Sequence, residues 1–460
     1  MATIPAKTQT IDRVRLHAML DRERSQYVAE HPRSQELFRE AAKTLLAGVP
    51  MSWMSMLTGA FPMYFESAHG NRVIDVDGHT YIDFCLGDTA AMTGHSPQIV
   101  MEAVQRRLSG KGGLTTMLPT DDAAAVGVEL RRRFGLPYWQ FALTATDANR
   151  WVLRMCRMVQ RRPYVLVFNE CYHGTVDETI VVVGPDGAAR AKPGNVGPQV
   201  DPARTTKVVE FNDVAALRAA LAPRDVAAVL MEPVMTNTGI VPPEPGFLGA
   251  VRALCDETGT LLINDETHTI SAGIGGCTRA YDLRPDVVTI GKAIASGIAM
   301  GAYGVSDQLA ARILGDPDAD LVDQGGVGGT LAGNALSSAA ARATLEHVLT
   351  EEAFAHMIGL ATQYTEGVRD ALEEHAVPWV IVQLGARAEY RFCPTVPRNG
   401  GVSRAAHDGE IEEYMHLFML NRGIFMTPFH NMALMCPATT AADVDRHTKL
   451  FAQAVGDLRG

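Results

Sequence analysis

The sequence lacks the features that mark secreted, membrane and thiolate-bound metal proteins. The closest of its seven cysteines are Cys156 and Cys171, so it contains no CxxC pair, and no Asn-x-Ser/Thr sequon occurs. Its start, Met1–Lys7, has none of the long apolar stretch of a signal peptide. No run of apolar residues approaches the roughly 18 that a membrane helix needs. These absences predict a cytoplasmic protein with reduced thiols, most of them in the core.

An excess of positive charge is also missing. The 41 Lys and Arg residues are outnumbered by 52 Asp and Glu residues, which gives a net charge of −11. This balance argues against a nucleic acid or an anionic membrane as a partner. Hydrophobic residues make up 47% of the chain and charged residues 20%, which is typical of a globular protein. At about 150 residues per domain, a chain of 460 residues predicts two to three domains.

Several motifs for phosphate and metal binding are absent as well. Gly291 and Lys292 are followed by Ala293, so the chain has no G-x-x-x-x-G-K-[ST] loop, and it has no H-E-x-x-H zinc motif. Its fourteen histidines show no spacing typical of metal ligands. We therefore expect no metal site.

The pattern from about residue 95 onwards predicts an α/β domain. Short strands that are apolar on both faces alternate there with amphipathic helices. The predicted strands are Trp139–Leu143, Tyr164–Phe168, Thr179–Val183, Lys207–Glu210, Val226–Met231, Thr260–Asn264 and Val287–Ile290. Strands of this kind, separated by helices, indicate a mostly parallel sheet that is covered on both sides.

The two ends of the chain predict a smaller α+β domain. Residues 1–94 begin with helices and continue into short alternating runs around a turn, and residues 336–460 mix helices with strand-like pieces. We expect residues 95–335 to form the large α/β domain. Residues 1–94 and 336–460 then contribute the small domain.

Charged residues follow two of the predicted strands directly. One apolar strand runs into Asp265 and Glu266, and the strand Val287–Ile290 ends in Gly291 and Lys292. The carboxyl ends of parallel strands form the edge at which open α/β sheets bind their ligands. We expect a lysine there to be partly desolvated, which favours a role as a Schiff-base nucleophile. Taken alone, Asp265 would be interpreted as a helix cap and Lys292 as a surface residue. The two together at strand ends favour a functional site.

With these residues the chain resembles the class III pyridoxal-phosphate aminotransferases of fold type I. The resemblance is greatest to the branch of glutamate-1-semialdehyde aminomutase, β-amino acid aminotransferases and (S)-amine transaminases. It extends from about Phe38 to the C-terminus. It rests on five matches in order: Asp75-x-Asp77-Gly78-x-x-Tyr81-x-Asp83-Phe84, Thr144-x-Thr146-Asp147-Ala148-Asn149, Tyr172-His173-Gly174, Glu232-Pro233, and Asp265-Glu266 with Lys292.

The resemblance implies pyridoxal 5′-phosphate as the cofactor, held covalently by Lys292. Lys292 would also carry a proton during the reaction, and Asp265 would pair with the pyridine nitrogen so that the ring withdraws electrons. Tyr172 and Thr267 would lie against the two ring faces. The other implied neighbours of the ring are His173 and Glu232.

The resemblance also implies a phosphate site that two chains share. Thr144, Ala145 and Thr146 match the family's Ser-Gly-Thr loop at the start of a helix, where backbone N–H groups meet an anion. The alternative for this stretch is an ordinary helix N-cap. The segment Gly329-Thr330 matches the one that reaches the partner subunit's phosphate, so the family implies a homodimer with shared active sites.

The chain departs from the family at two positions around the cofactor. Ala145 replaces the usual glycine, and a left-handed φ there would be strained. Thr267 replaces the usual valine and adds a hydroxyl that needs a hydrogen-bond partner.

The substrate side lacks the arginine with which some relatives bind a carboxylate. Residues 49–54 and 427–430 contain none. One interpretation is an apolar pocket for a bulky amine or ketone, formed by Trp53, Met54 and Phe429. The other is a carboxylate held from elsewhere, because a donor such as alanine or glutamate usually needs a cation. The candidates are Arg391 or Arg387, with Arg404 as a weaker one, although residues 387–391 also fit an exposed strand.

The sequence as a whole predicts an aminotransferase. It would move an amino group between an amine or non-α amino acid and a keto acid by a ping-pong mechanism. The alternatives are an intramolecular aminomutase of the glutamate-1-semialdehyde type or an epimerase on the same fold, and a non-catalytic cofactor-binding protein. The arginine missing from residues 49–54 disfavours the aminomutase, and the presence of Lys292 and Asp265 disfavours a non-catalytic role.

Overall fold

The computed structural model describes residues 11–56, 59–197, 200–317 and 325–459. Within these residues the chain divides into two compact units. The central unit comprises Gln98–Phe354 and Pro397–Arg404. The terminal unit comprises the chain up to Pro97, Ala355–Val396 and the chain from Ala405 onwards.

Helices and strands alternate along most of the chain. The helices are α1 (Arg13–Glu30), α2 (Pro32–Ala41), α3 (Gln98–Gln105), α4 (Asp121–Phe134), α5 (Ala145–Gln160), α6 (Val214–Leu221), α7 (Phe247–Thr258), α8 (Gly276–Ala280), α9 (Asp307–Leu314), α10 (Ala335–His347), α11 (Glu351–Glu374), α12 (Gly400–Ala405), α13 (Gly409–Leu420) and α14 (Ala441–Arg459). The strands are β1 (Phe65–His69), β2 (Arg72–Asp75), β3 (Thr80–Asp83), β4 (Tyr138–Ala142), β5 (Tyr164–Phe168), β6 (Val181–Val183), β7 (Ala189–Ala191), β8 (Thr206–Val209), β9 (Val226–Met231), β10 (Leu261–Asp265), β11 (Val287–Ile290), β12 (Gly301–Val305), β13 (Val380–Leu384), β14 (Arg387–Arg391), β15 (Ile424–Phe425) and β16 (Met432–Leu434).

The central unit is built on a seven-stranded sheet of order β4-β12-β11-β10-β9-β5-β8. Strand β12 is antiparallel to both of its neighbours, whereas β11-β10-β9-β5-β8 pair in parallel. One face packs against α5 through residues such as Val152, and the other against α6 and α7 through residues such as Leu217 and Val251. The prediction of a large, mostly parallel sheet covered on both sides is confirmed.

Two details of the predicted sheet are wrong. The stretch predicted as the strand Thr179–Val183 does not join the sheet, because β6 pairs with β7 in a separate two-stranded hairpin. Strand β12 was not predicted, since its glycines are rare in strands. Close packing explains why β12 contains glycines. A Cβ at Gly301 would lie 2.4 Å from the Thr144 carbonyl oxygen, and a Cβ at Gly304 would lie 2.6 Å from the Trp139 ring.

The terminal unit joins the two ends of the chain in one sheet. Its order is β1-β2-β3-β15, and β15 from the end of the chain pairs in parallel with β3 from its start. A second sheet has the order β13-β14-β16. A cluster of buried side chains that includes Tyr27, Phe61 and Leu417 packs α1 and α13 onto the first sheet. The predicted smaller α+β part built from both termini is therefore confirmed. Among the described residues, no helix is long and apolar enough to cross a membrane.

Candidate active site

Asp265 and Lys292 follow neighbouring strands at the same edge of the central sheet. Strands β10 and β11 are parallel, with Asp265 opposite Thr289. Asp265 is buried, and Lys292 begins a short helical turn with a left-handed φ of 49°. A non-glycine residue in that conformation is strained, and such strain is concentrated at functional sites. The Lys292 Nζ lies 2.9 Å from His268 Nε2, in the loop that follows β10.

The carboxylate of Asp265 accepts hydrogen bonds from Asn149, His173 and Thr267. Its Oδ2 accepts hydrogen bonds from Asn149 Nδ2 and His173 Nδ1, both at 2.9 Å, and its Oδ1 accepts one from the Thr267 backbone N–H at 3.1 Å. The Thr289 hydroxyl donates to Asn149 Oδ1 at 2.6 Å, which orients the amide with its NH₂ towards Asp265.

These contacts keep Asp265 ionised although it is buried. Burial alone would raise its pKa, but the hydrogen bond and charge of His173, with hydrogen bonds from Thr267 and Asn149, lower it to about 2. Burial likewise opposes a charged His173, but Cys171 and Asp265 beside it outweigh burial and raise its pKa well above the ordinary value. Asp265 is therefore a fixed negative charge at the edge of the sheet.

Two buried polar atoms next to Asp265 have no hydrogen-bond partner among the described residues. They are His173 Nε2 and Thr267 Oγ1. A buried polar group without a partner costs on the order of 1–3 kcal/mol. The hydroxyl that Thr267 adds thus lacks the partner it needs among the residues that the structure describes. Both atoms mark a place where a polar ligand would be accommodated.

Glu266 has a different role from its neighbour. It accepts hydrogen bonds from the hydroxyls of Thr269 and Thr278 and from the backbone N–H groups of Cys277 and Thr278. Burial raises its pKa, although these donors oppose the effect. Gly276 is required beside it, because a Cβ there would lie 2.2 Å from Glu266 Oε2. Glu266 therefore fixes the loop after β10.

Glu232 supports the loop that follows β9. Burial raises the pKa of this residue, partly offset by His173 and Thr236. Its oxygens accept hydrogen bonds from the Thr236 hydroxyl at 2.5 Å, from the Thr236 N–H at 3.1 Å and from Asn237 Nδ2 at 3.2 Å. Asn237 also approaches the Tyr172 carbonyl oxygen at 3.5 Å. The Tyr172 side chain itself is exposed.

The loop that contains Gly174 and Thr175 packs against the start of α5. Thr144 is its N-cap, and its hydroxyl accepts the Asp147 N–H at 3.2 Å. Thr146 Oγ1 accepts the Thr175 N–H at 3.1 Å. A Cβ at Gly174 would lie 2.1 Å from Thr146 Oγ1, so only glycine permits this approach. Thr144 is thus an N-cap, as the alternative interpretation expected, and the N-terminal end of a helix is also suited to an anion.

Ala145 is accommodated without strain. It is the first residue of α5, and it does not adopt the left-handed φ that would have opposed a Cβ. The Ala145 side chain packs against Gly291, where an added Cβ would lie 3.0 Å from the Ala145 Cβ. The fit of Ala145 therefore depends on the glycine before Lys292.

Gly329 and Thr330 are exposed in the single chain. Their predicted contact with a partner subunit stays a prediction. Arg404 is also exposed.

In the terminal unit the structure brings two predicted pocket residues together. The rings of Trp53 and Phe429 lie edge to face, with centroids 6.1 Å apart, and both residues are exposed. Phe429 has a left-handed φ of 80°. Met54 is half-buried.

The interpretation of residues 387–391 as an exposed strand is wrong. Every residue of β14, the central strand of its sheet, is buried, so side chains on both faces of the strand are covered. Arg391 lies 3.9 Å from Glu389, and Arg387 Nη2 donates to the Thr89 hydroxyl at 2.6 Å. Both arginines therefore lie in a buried polar environment of the terminal unit.

Sequence reasoning assigned no role to Asn149, Asn237 or His268. Asn149 stands within a recognised motif, but its contact with Asp265 joins residues far apart in the chain. His268 could have been noticed as a titratable group three residues after Asp265. The place of Asn237 in the sequence gives no sign that its side chain would hydrogen-bond Glu232.

Comparison with known proteins shows which family the chain resembles. The family model for class III aminotransferases matches residues 55–455. A Sorangium cellulosum protein named glutamate-1-semialdehyde 2,1-aminomutase is 33% identical over 421 residues, covering 90% of this chain and 94% of the relative.

Solved structures agree in fold. A variant of a glutamate-1-semialdehyde-aminomutase from Pseudomonas aeruginosa PAO1, in complex with PMP, has a TM-score of 0.95 and 47% identity and covers 98% of this chain and 100% of that one. An omega-transaminase from Sphaerobacter thermophilus has a TM-score of 0.83 and 26% identity, covering 93% and 98% of the two chains.

Proposed function

Because the chain belongs to the class III aminotransferase family, we propose that it uses pyridoxal 5′-phosphate, bound through Lys292, to move an amino group between small molecules. The buried, ionised Asp265 is the observation that carries this proposal. A carboxylate of low pKa at the carboxyl edge of the sheet is suited to hold a proton on a pyridine nitrogen. That protonated ring, when bound, supplies an electron sink for the carbon from which a proton is removed.

The residues present fit this cofactor. The buried Nε2 of His173 and hydroxyl of Thr267 lack partners among the described residues, as expected around a polar ligand. The start of α5, where Gly174 and Gly291 admit close backbone approach, would hold the phosphate with Thr144, Ala145 and Thr146. Tyr172 would lie against one face of the ring, and Glu232 would be one of its acidic neighbours.

Lys292 would provide the reactive amine. Its neutral form is the nucleophile, and the same nitrogen can accept and return a proton at the substrate carbon. His268, 2.9 Å away, orients this amine by a hydrogen bond. Asp265 stays ionised throughout, because its donors stabilise the charged form.

We further propose that the reaction is a transamination with a ping-pong course. The donor would be an amine or non-α amino acid and the acceptor a keto acid. The exposed Trp53–Phe429 pair supports an apolar group on one substrate. Arg391 is the proposed cation for a carboxylate.

An intramolecular aminomutase is the second candidate, and a specific observation favours it. The Pseudomonas aeruginosa and Sorangium cellulosum relatives bear that name. Against it, residues 49–54 contain no arginine that could bind a carboxylate, and this stretch has Trp53 and Met54 instead.

One experiment separates these reactions. The visible absorbance of the purified, cofactor-loaded protein is recorded with a panel of amines, then with pyruvate or another keto acid, and the products are identified. A transaminase loses its yellow colour with a donor amine, regains it with a keto acid and releases a new amine. Conversion of an amino aldehyde to its isomer without any added keto acid would establish the aminomutase instead. A protein that never becomes yellow with added cofactor would refute both.

We also propose a homodimer in which the exposed Gly329 and Thr330 reach the partner's phosphate. The mass in solution tests the dimer. A Thr330→Ala variant tests the contact, through weaker cofactor retention at an unchanged dimer mass.

A further inference from the structure

A compact cluster of His31, Asp75 and His79 lies in the terminal unit, outside the residues assigned to the reaction. One potential ligand atom from each of the three lies within 4.8 Å of the others. His79 Nδ1 is 2.9 Å and His31 Nε2 is 3.3 Å from Asp75 Oδ2. The spacing of histidines along the chain did not reveal this group, because its members come from separate elements. His31 lies at the junction of α1 and α2, Asp75 ends β2, and His79 lies in the turn that follows.

The two distances to Asp75 are close to the spacing of ligand atoms around a tetrahedral metal ion. With bonds of about 2.0–2.1 Å to nitrogen or oxygen, neighbouring ligand atoms of a zinc ion lie about 3.3 Å apart. The distance from His31 to Asp75 already has this value, the distance from His79 to Asp75 is somewhat shorter, and the ligand atoms of the two histidines lie within 4.8 Å of each other. The His79 ring, whose side chain is 38% exposed, is the member of the cluster that would shift to complete the geometry. The exposed edge of this ring also gives an ion a path from solvent.

The ligand atoms are already oriented by contacts behind them. His31 Nδ1 lies 2.7 Å from the Tyr27 carbonyl oxygen, which only accepts, so this nitrogen carries a proton. In the neutral ring the lone pair is therefore on Nε2, towards Asp75. Asp75 Oδ1 accepts the backbone N–H groups of Asp77 at 3.0 Å and His79 at 2.8 Å, which leaves Oδ2 for the cluster. Carbonyl and N–H partners of this kind are what hold metal ligands in place.

Tyr81 is a hydrogen-bond partner of the cluster rather than a ligand. Its hydroxyl lies 2.8 Å from both Asp75 Oδ2 and His31 Nε2. It can donate to Asp75 while an ion occupies the histidine lone pairs.

We propose that His31, Asp75 and His79 form a binding site for a divalent transition-metal ion of the Zn²⁺ class, with water as a fourth ligand. Two imidazoles and one carboxylate suit Zn²⁺ better than Ca²⁺ or Mg²⁺, which take oxygen ligands. The bound ion would tie the α1–α2 junction to the β2–β3 turn and stabilise the terminal unit. This site is independent of the proposed reaction.

The test uses the complete, cofactor-loaded protein and ZnCl₂. Isothermal titration should show one Zn²⁺ per chain, together with a rise in the melting temperature. His79→Ala should weaken the affinity by more than about 100-fold, since even the partners behind metal ligands contribute about 10- to 100-fold. His17→Ala is the matched control, because His17 is an exposed histidine 3.0 Å from a carboxylate, Glu410. It should leave the affinity unchanged.

Two further measurements keep the proposal falsifiable if His79→Ala folds poorly. Co²⁺ added to the wild type should give the intense visible bands of a tetrahedral site, which excess Zn²⁺ removes. Tyr81→Phe should keep the affinity, because the phenol is not a ligand. No Zn²⁺ binding by the wild type, equal binding by His79→Ala, or loss of binding in Tyr81→Phe would overturn the proposal.

Discussion

Each unit of the molecule contains a buried aspartate that ends a strand and hydrogen-bonds a histidine through Oδ2. Asp265 ends β10 and meets His173, and Asp75 ends β2 and meets His79. In the described part of the chain, the cluster around Asp265 includes two buried polar atoms without a hydrogen-bond partner, on His173 and Thr267. In contrast, both oxygens of Asp75 and both ring nitrogens of His31 are hydrogen-bonded.

The difference distinguishes the site that we propose for the cofactor from a network whose polar groups already have partners among the described residues. The unpartnered atoms near Asp265 cost stability until a ligand satisfies them. An ion at Asp75 must instead replace existing hydrogen bonds. Substitutions in the first cluster should therefore change activity and cofactor binding, and those in the second should change stability.

The largest effect is expected for Lys292→Ala. The variant lacks the amine that holds the cofactor and carries the proton, so turnover should disappear while the fold persists. Steady-state kinetics and the melting temperature measure both effects. Retention of full activity would contradict the assignment of Lys292.

The two aspartates give the sharpest contrast. Asp265→Asn should reduce turnover by about 100-fold or more, because the electron sink requires the charge, while covalent attachment of the cofactor continues. Asp75→Asn should lower the free energy of unfolding by about 1–3 kcal/mol through a weakened buried network, at unchanged turnover per folded molecule. Equal losses of cofactor and turnover in Asp265→Asn would make its role structural.

His268 should act through its hydrogen bond to Lys292. His268→Leu removes the bond and should reduce turnover about 10- to 100-fold, and His268→Gln keeps an acceptor and should restore most of it. The rate at which acetic anhydride labels Lys292 in cofactor-free protein gives a second readout. If the leucine variant shows wild-type turnover and labelling, His268 does not position the amine.

A smaller, substrate-dependent effect is expected in the terminal unit. Arg391→Ala should raise the KM for keto acids about tenfold and leave the KM for a carboxylate-free amine unchanged. Trp53→Ala should do the reverse, with a higher KM for bulky amines only. Since Arg391 is buried beside Glu389, the melting temperature of the variant is the control. A uniform change for all substrates would remove Arg391 from substrate binding.

The smallest effect concerns acid stability. The pKa of Asp265 falls from 3.8 to about 2 on folding, so its ionisation stabilises the folded chain above about pH 4. This contribution, about 2 kcal/mol, is lost as the pH falls towards 2. The cofactor-free Asp265→Asn variant should lack this part of the acid dependence. Identical acid-unfolding curves for the variant and the wild type would contradict the low pKa.

The sequence predicted the parts of the fold that depend on local pattern. Apolar strands alternating with helices predicted the parallel sheet, and the rule that parallel strands end at one edge predicted that Asp265 and Lys292 would share it. Strand β12 was missed because its glycines serve tertiary contacts with Thr144 and Trp139. The burial of β14 was missed because charged residues at 387, 389 and 391 resemble a solvated strand.

Contacts between distant residues account for what was missed in the candidate sites. The spacing of charged residues identified Asp265 but not Asn149, which reaches it from α5. It also gave no sign that His31 would meet Asp75, because the turn after α1 brings them together. Residue patterns predict which elements form, and the packing of those elements decides which polar groups meet.

The most direct test of the central claim is to locate the cofactor on the chain. The cofactor-loaded protein is reduced with borohydride, digested and mapped by mass spectrometry. We expect the cofactor mass on the peptide that contains Lys292, and on no peptide of the Lys292→Ala variant. A cofactor found on another lysine, or on none, would contradict the account of this site.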